Sequence, residues 1–198
     1  MNLADFSYSP VTAFRSENDT EVSATFNLYR TPSMAQARFS IAIFKGKGKP
    51  IASIPLNPIQ IQTIINVWKT FKKSPTAGEH YTLKFQDWIY DKEAKKKVKK
   101  VVGVITVGLT KEKGEAYFAL HTGNKEVFQF LLPNANNSVE ANLNESVRRL
   151  IAIDNFLSLL YTARDIIYQS RSIPAVKDTH TDSKSSSSYD NVEDEIPY

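Results

Sequence analysis

The sequence predicts an α+β fold in which two antiparallel β-sheets are each followed by a helix. Three observations point there. Short segments rich in aromatic and β-branched residues fill residues 24–56 and again 81–133. Each run stops at a polar break, "NP" at 57–58 and "NANNSVEANLN" at 134–144. After each break, apolar residues recur at helical spacing.

Residues 1–21 are mixed and mildly acidic, with Pro10 and the polar cluster "SENDT", and read as an arm or edge strand. "ATFNLYR" (24–30) is the first clear strand. "ARFSIAIF" (37–44), the glycine-bearing turn "KGKGK" (45–49) and "PIASIPL" (50–56) form a hairpin. Asn57 suits a helix N-cap, and Pro58 suits the first helical position, where no amide donor is needed. Ile61, Ile64, Ile65, Trp68 and Phe71 then mark a buried helix face, which makes Trp68 a core residue. Lys69, Lys72 and Lys73 favour its C-terminal end through the macrodipole.

"YTLKFQDWIY" (81–90) is the next strand, and "DKEAKKKVKK" (91–100) reads as a charged connector. "VVGVITVGLT" (101–110), "AYFALHT" (116–122) and "VFQFLLP" (127–133) complete the second run. A long helix from about Glu145 to Gln169 follows, with Asn144 as its cap. Leu150, Ile153, Leu157, Leu160 and Ile167 form one stripe, and Val147, Ile151, Phe156, Tyr161 and Ile166 widen it. A face that broad belongs in a core or a subunit interface. Residues 37–58 and 116–136 echo each other as strand, turn, strand, break, which suggests internal repetition.

Composition changes near residue 172. The chain divides into an N-terminal arm (1–21), a folded body (22–172) and a tail (173–198). The tail has few bulky apolar residues and many Ser, Thr and Asp, so disorder is expected there.

Charge follows the same division. The whole chain carries +4. The tail holds two lysines against six carboxylates, and residues 1–172 hold 23 basic against 15 acidic side chains. Seventeen basic and only five acidic residues lie between 30 and 113, so the body favours a polyanionic partner. The absence of cysteine excludes disulfides, thiolate metal sites and a cysteine nucleophile. His80, His121 and His180 are far apart, and no metal or other cofactor is expected. No run of 18 apolar residues suggests a membrane span, and the first residues do not read as a secretory signal. No P-loop, G-x-G-x-x-G, G-x-S-x-G or H-E-x-x-H motif occurs, so no enzyme is expected.

Candidate contacts with a polyanion come from basic segments flanked by aromatics. "KGKGK" offers Lys45, Lys47 and Lys49 on a turn. Lys95, Lys96, Lys97, Lys99 and Lys100 are expected on a second loop. One face of strand 81–90 carries Lys84, Trp88 and Tyr90, a mixture suited to base stacking beside phosphate neutralisation. Tyr29 with Arg30, and Phe44 beside Lys45, extend the set. "KKKVKK" also resembles a nuclear-localisation patch.

The last residues add a resemblance. "EDEIPY" resembles the C-terminal tip of single-stranded DNA-binding proteins of bacteria and their phages, in which a few acids precede Ile-Pro and an aromatic. Glu193, Asp194 and Glu195 match the acids, Ile196 and Pro197 the dipeptide, and Tyr198 the aromatic, where phenylalanine is usual. The match covers six residues and the character of the linker before them. It implies a body that coats single-stranded DNA in replication, recombination and repair, without catalysis, in the cytoplasm of a bacterial cell or of a phage host. It also implies a tip that recruits partner proteins. The order of sheets and helices is similar to Whirly proteins, which bind single strands and often assemble as homo-oligomers. "KGKGKPIA" is a loose echo of the Whirly lysine motif. An OB-fold barrel with added helices is the alternative architecture. An RNA-binding or strand-annealing factor, and a structural or assembly protein without nucleic acid, are the alternative functions.

Overall fold

The computed structural model describes residues 6–8, 14–31, 33–46, 48–123, 125–132 and 143–171. Among these, five strands precede the first helix: β1 (Phe6–Tyr8), β2 (Phe14–Arg15), β3 (Val22–Arg30), β4 (Arg38–Lys45) and β5 (Ala52–Leu56). The helix α1 (Pro58–Lys73) follows, then β6 (His80–Asp91), β7 (Lys96–Leu109), β8 (Ala116–His121), β9 (Val127–Leu131) and the helix α2 (Glu145–Ser170). The expected α+β plan of two antiparallel sheets, each followed by a helix, is present. The first sheet has two more strands than the three clear ones in the sequence. Both come from residues 1–21 and pair with β3, β1 beside its C-terminal half and β2 beside its start.

The first sheet runs β1-β3-β4-β5 with β2 on the same edge as β1, and the second runs β6-β7-β8-β9. β3–β4–β5 and β6–β7–β8–β9 are meanders that each precede a helix, so the two halves share that order even though their sequences barely match, while β1 and β2 are additions to the first sheet. Alternation fixes the faces. In β3, Val22, Ala24, Phe26, Leu28 and Arg30 are buried, whereas Ser23, Thr25, Asn27 and Tyr29 are half-buried on the outer side. The strand pairs Leu28 with Phe39 and Phe26 with Ile41, which brings apolar residues of β4 to the same inner face.

The two inner faces and both helices share one core. Phe26 is its hub: ring centroids of Phe14, Phe39, Phe118 and Phe156 lie 5.3–5.9 Å away. Those four rings come from β2, β4, β8 and α2, so a single side chain ties both sheets to a helix. Trp68 of α1 is fully buried and meets Phe156 of α2 edge-on at 6.0 Å. Truncating a ring in such a cluster costs about 3–5 kcal/mol.

The helix ends follow the sequence closely. Asn57 Oδ1 accepts from Gln60 N, and Gln60 Oε1 accepts from Asn57 N, both at 2.9 Å, with Pro58 at the first helical position. Asn144 Oδ1 accepts from Val147 N at 2.9 Å. The broad apolar face of α2 is buried from Ala152 to Ile167, but Val147 and Leu150 in its first turns are exposed. No described helix is long and apolar enough to cross a membrane.

Candidate nucleic-acid interface

β6 and β7 are longer than the sheet they belong to. β8 pairs with β7 only from Val104 to Leu109, whereas β6 pairs with β7 all the way to Asp91 and Lys96. Among the described residues, the two strands therefore continue beyond Gly103 as a two-stranded arm. This corrects the expected connector at 91–100, since residues 96–100 are strand. Lys96, Lys97, Lys99 and Lys100 sit on the ladder, and only residues 92–95 form the turn.

The turn is held by Asp91. Its Oδ1 accepts from the amides of Glu93 and Ala94, both at 3.1 Å, and its Oδ2 accepts from Lys100 Nζ at 3.3 Å. The Ala94 amide, then the lysine, holds the Asp91 carboxyl below the usual carboxylate range. Lys95 has a φ of 48°, the left-handed residue that closes a short hairpin loop.

At the base of the arm the register shifts between Phe85, opposite Gly103, and Gln86, opposite Val101, so Val102 is an extra residue on β7. Gly103 lies so close to Ile54 of β5 that an added Cβ would come 2.3 Å from Ile54 Cγ2. Gln60, already part of the α1 cap, donates through Nε2 to the Gln86 carbonyl at 3.4 Å. A bulge, a glycine contact and one hydrogen bond thus set the direction in which the arm leaves the body.

The arm has two distinct faces. On one, Lys84, Gln86, Trp88 and Tyr90 of β6 alternate outward, with Lys99 opposite Trp88 and Lys97 opposite Tyr90. Trp88 is 64% exposed and Tyr90 47%. Successive rings on this face stand about 6.7 Å apart along the strand. On the other face Asp87 lies across from Lys100, Ile89 from Val98 and Asp91 from Lys96. Both carboxylates of β6 in the arm, Asp87 and Asp91, are on this second face. Ile89 and Val101 are also exposed, at 41% and 52%, which the sequence reading did not expect. No sequence signal marked them, because their exposure follows from where β8 stops pairing with β7, at Val104.

The remaining expected contacts divide between surfaces. Arg30 is a correction. It is 1% exposed, and both Nε and Nη2 donate to the Met34 carbonyl, at 3.1 and 3.0 Å, inside the first sheet. Tyr29 is half-buried on the outer side of that sheet, opposite Arg38, and Phe44 lies on the same side, opposite Ser23. Neither belongs to the arm. Lys45 bonds Asp19 at 3.0 Å, and that bond raises its pKa; the charge of Glu126 on the β8–β9 turn acts in the same direction. Lys49 is exposed on the β4–β5 turn. Lys47 lies outside the described residues, as do Glu193, Asp194, Glu195, Ile196, Pro197 and Tyr198.

The outer face of the second sheet continues from the arm into a polar row. Thr82 Oγ1 and Thr106 Oγ1 are 2.9 Å apart, and Thr106 Oγ1 is 2.9 Å from His121 Nε2. Burial lowers the His121 pKa, so the imidazole is the neutral partner in this chain of bonds at neutral pH.

No protein-family model, curated protein or solved structure matches the chain.

Proposed function

We propose that this protein binds single-stranded nucleic acid, DNA in particular, without sequence preference, and that the β6–β7 arm is its principal contact. One observation supports this most: Trp88 and Tyr90 are exposed on a face whose cross-strand neighbours are Lys99 and Lys97. Rings stack on unpaired bases of any identity, and the lysines neutralise the phosphates that accompany them. A duplex offers no free base face, so the aromatic pair favours single strands. Lys84, Lys95, Lys96 and Lys100 enlarge the electrostatic footprint, with Lys45 at the end of β4 and Lys49 on the β4–β5 turn; Tyr29 and Phe44, towards opposite ends of the β3–β4 ladder, are separate candidate contacts.

The duplicated meander–helix order supports a Whirly-like architecture over a single closed OB barrel, with assembly into homo-oligomers. The acidic segment with Ile196, Pro197 and Tyr198 recruits replication, recombination or repair partners, by charge steering and insertion of an apolar tip. The working role is to coat strands rather than to act on them chemically.

The chain has two tryptophans, and Trp68 is buried, so a fluorescence change on binding reports on Trp88. Oligo-dT should quench that signal, more strongly than duplex DNA of equal length, with an affinity that falls as salt rises. Equal affinity for duplex and single strand would overturn the proposal. A matched RNA oligomer that outcompetes oligo-dT would redirect it to RNA. Removing residues 190–198 should abolish partner capture and slightly strengthen DNA binding.

A further inference from the structure

At the end of the second sheet opposite the arm, the β7–β8 turn faces the first turns of α2 across a cavity of about 160 Å³. Lys113 and Glu115 line it from the turn, and Glu145, Arg148 and Arg149 from the helix. Leu132 and Ala152 contribute an apolar wall. Arg149 Nη1 donates to the Gly114 carbonyl at 3.3 Å. Gly114 has a φ of 62°, and a Cβ there would come within 2.8 Å of that nitrogen, so the glycine lets the guanidinium close over the turn.

Two features of this cavity are unusual. The Nε atoms of Arg148 and Arg149 are buried and make no hydrogen bond among the described residues. A buried donor on a cation is costly to leave unpaired. Both arginines also stand within the first five residues of a 26-residue helix, where the macrodipole is positive and acids are favoured over bases. Three cations against two carboxylates leave the lining at +1. An anion in the cavity would relieve both costs at once.

We infer that the cavity binds an oxyanion, a phosphate group, through the guanidinium groups of Arg148 and Arg149, with Lys113 at its rim. Planar guanidinium forks match phosphate oxygens in a bidentate manner. The volume accepts a phosphate group and little more, so a whole nucleotide would leave its sugar and base outside. Two sources carry that chemistry: free phosphate and a phosphate of a nucleic-acid strand. The sequence offered one clue, "RR" in the first turns of a helix. The cavity itself depends on Lys113, 35 residues earlier.

The probe is inorganic phosphate, titrated calorimetrically into the full chain at constant ionic strength, with chloride as the control. Saturable binding to the wild type is expected. Arg148→Gln and Arg149→Gln should each weaken it about tenfold or more, as loss of a charge-assisted bond predicts. Glu145→Gln should tighten it. Lys113→Gln, a change on a turn, provides a weakening variant if either helix substitution impairs folding. Trp88→Ala should leave phosphate binding unchanged, which separates this site from the arm. Oligo-dT with and without a 5′-phosphate then distinguishes the sources by competition: displacement by both forms indicates a backbone phosphate, displacement by the phosphorylated form alone a terminal one, and displacement by neither free phosphate. Binding no stronger than chloride, or equal binding by the two arginine variants and the wild type, would overturn the inference.

Discussion

Trp88 stands directly opposite Lys99 in the β6–β7 ladder, a ring and a cation side by side on one exposed face. Because the indole is 64% exposed, it contributes little to the core. Trp88→Ala should therefore leave the melting temperature nearly unchanged while weakening single-strand binding by about 1–3 kcal/mol, roughly 5- to 150-fold. Anisotropy of a labelled oligo-dT measures this without the lost fluorophore. Full retention of affinity would remove the arm from the interface.

Lys97 and Lys99 should contribute chiefly through released counterions. Changing both to Gln should reduce the slope of log K against log salt by about 1.4, at about 0.7 per phosphate contact on a single strand. Titrations at four or five salt concentrations determine the slope. A parallel shift without a change in slope would mean that these lysines do not meet phosphates.

Gly103 has no room for a side chain beside Ile54. Gly103→Ala should destabilise the fold by about 1–3 kcal/mol through overpacking. Ile54→Ala alone removes a buried side chain at about 2–5 kcal/mol, and the double variant should lose less than the sum of the two, since both changes act on one contact. Urea denaturation of the single and double variants tests the coupling.

Ser170 Oγ accepts from the Ala37 amide at 2.7 Å and donates to the Ile167 carbonyl at 2.8 Å, fully buried. Ser170→Ala leaves the Ala37 amide without a partner, at a cost of about 1–3 kcal/mol. Loss of hydrogen-exchange protection at Ala37 would accompany the lower stability.

Burial places the folded His121 pKa below its ordinary value of 6.5. The unfolded chain therefore takes up this proton more readily than the folded one. The contribution is complete above 6.5 and declines as pH falls from there through the folded pKa. His121→Asn should flatten that part of the stability profile, as read from melts between pH 5 and 8.

Much of the fold was legible because local and tertiary signals agreed. Asn57 and Pro58 announced the start of α1, and the spacing from Ile61 to Phe71 marked its buried face, with Trp68 inside. Two errors have physical causes. Residues 96–100 lack the apolar alternation of a strand, and only pairing with β6 makes them one, so tertiary context overrode composition. Arg30 was grouped with Tyr29 as a neighbour in sequence, yet strand parity sets it with Val22, Ala24, Phe26 and Leu28 on the inner face. That parity was readable, and the charge of arginine obscured it. The aromatic face with Lys84, Trp88 and Tyr90 was legible from alternation. Its extension beyond the sheet was not, because strand length alone does not reveal where the neighbouring strand stops.

Among the described residues, no further strand pairs with either margin of the arm past Gly103; the Gln86 carbonyl and the Trp88 amide take side-chain partners, Gln60 and Asp87, instead. Such a ribbon invites ladder formation with a stray chain, and dense lysine is a known protection against it. The charges proposed to attract a polyanion would thus also keep copies of the protein apart. Stripping them risks insolubility as well as weaker binding, and only light scattering alongside the binding assay would separate the two. Conversely, a strand that neutralises them lets adjacent arms approach, so occupancy along a long strand should rise cooperatively.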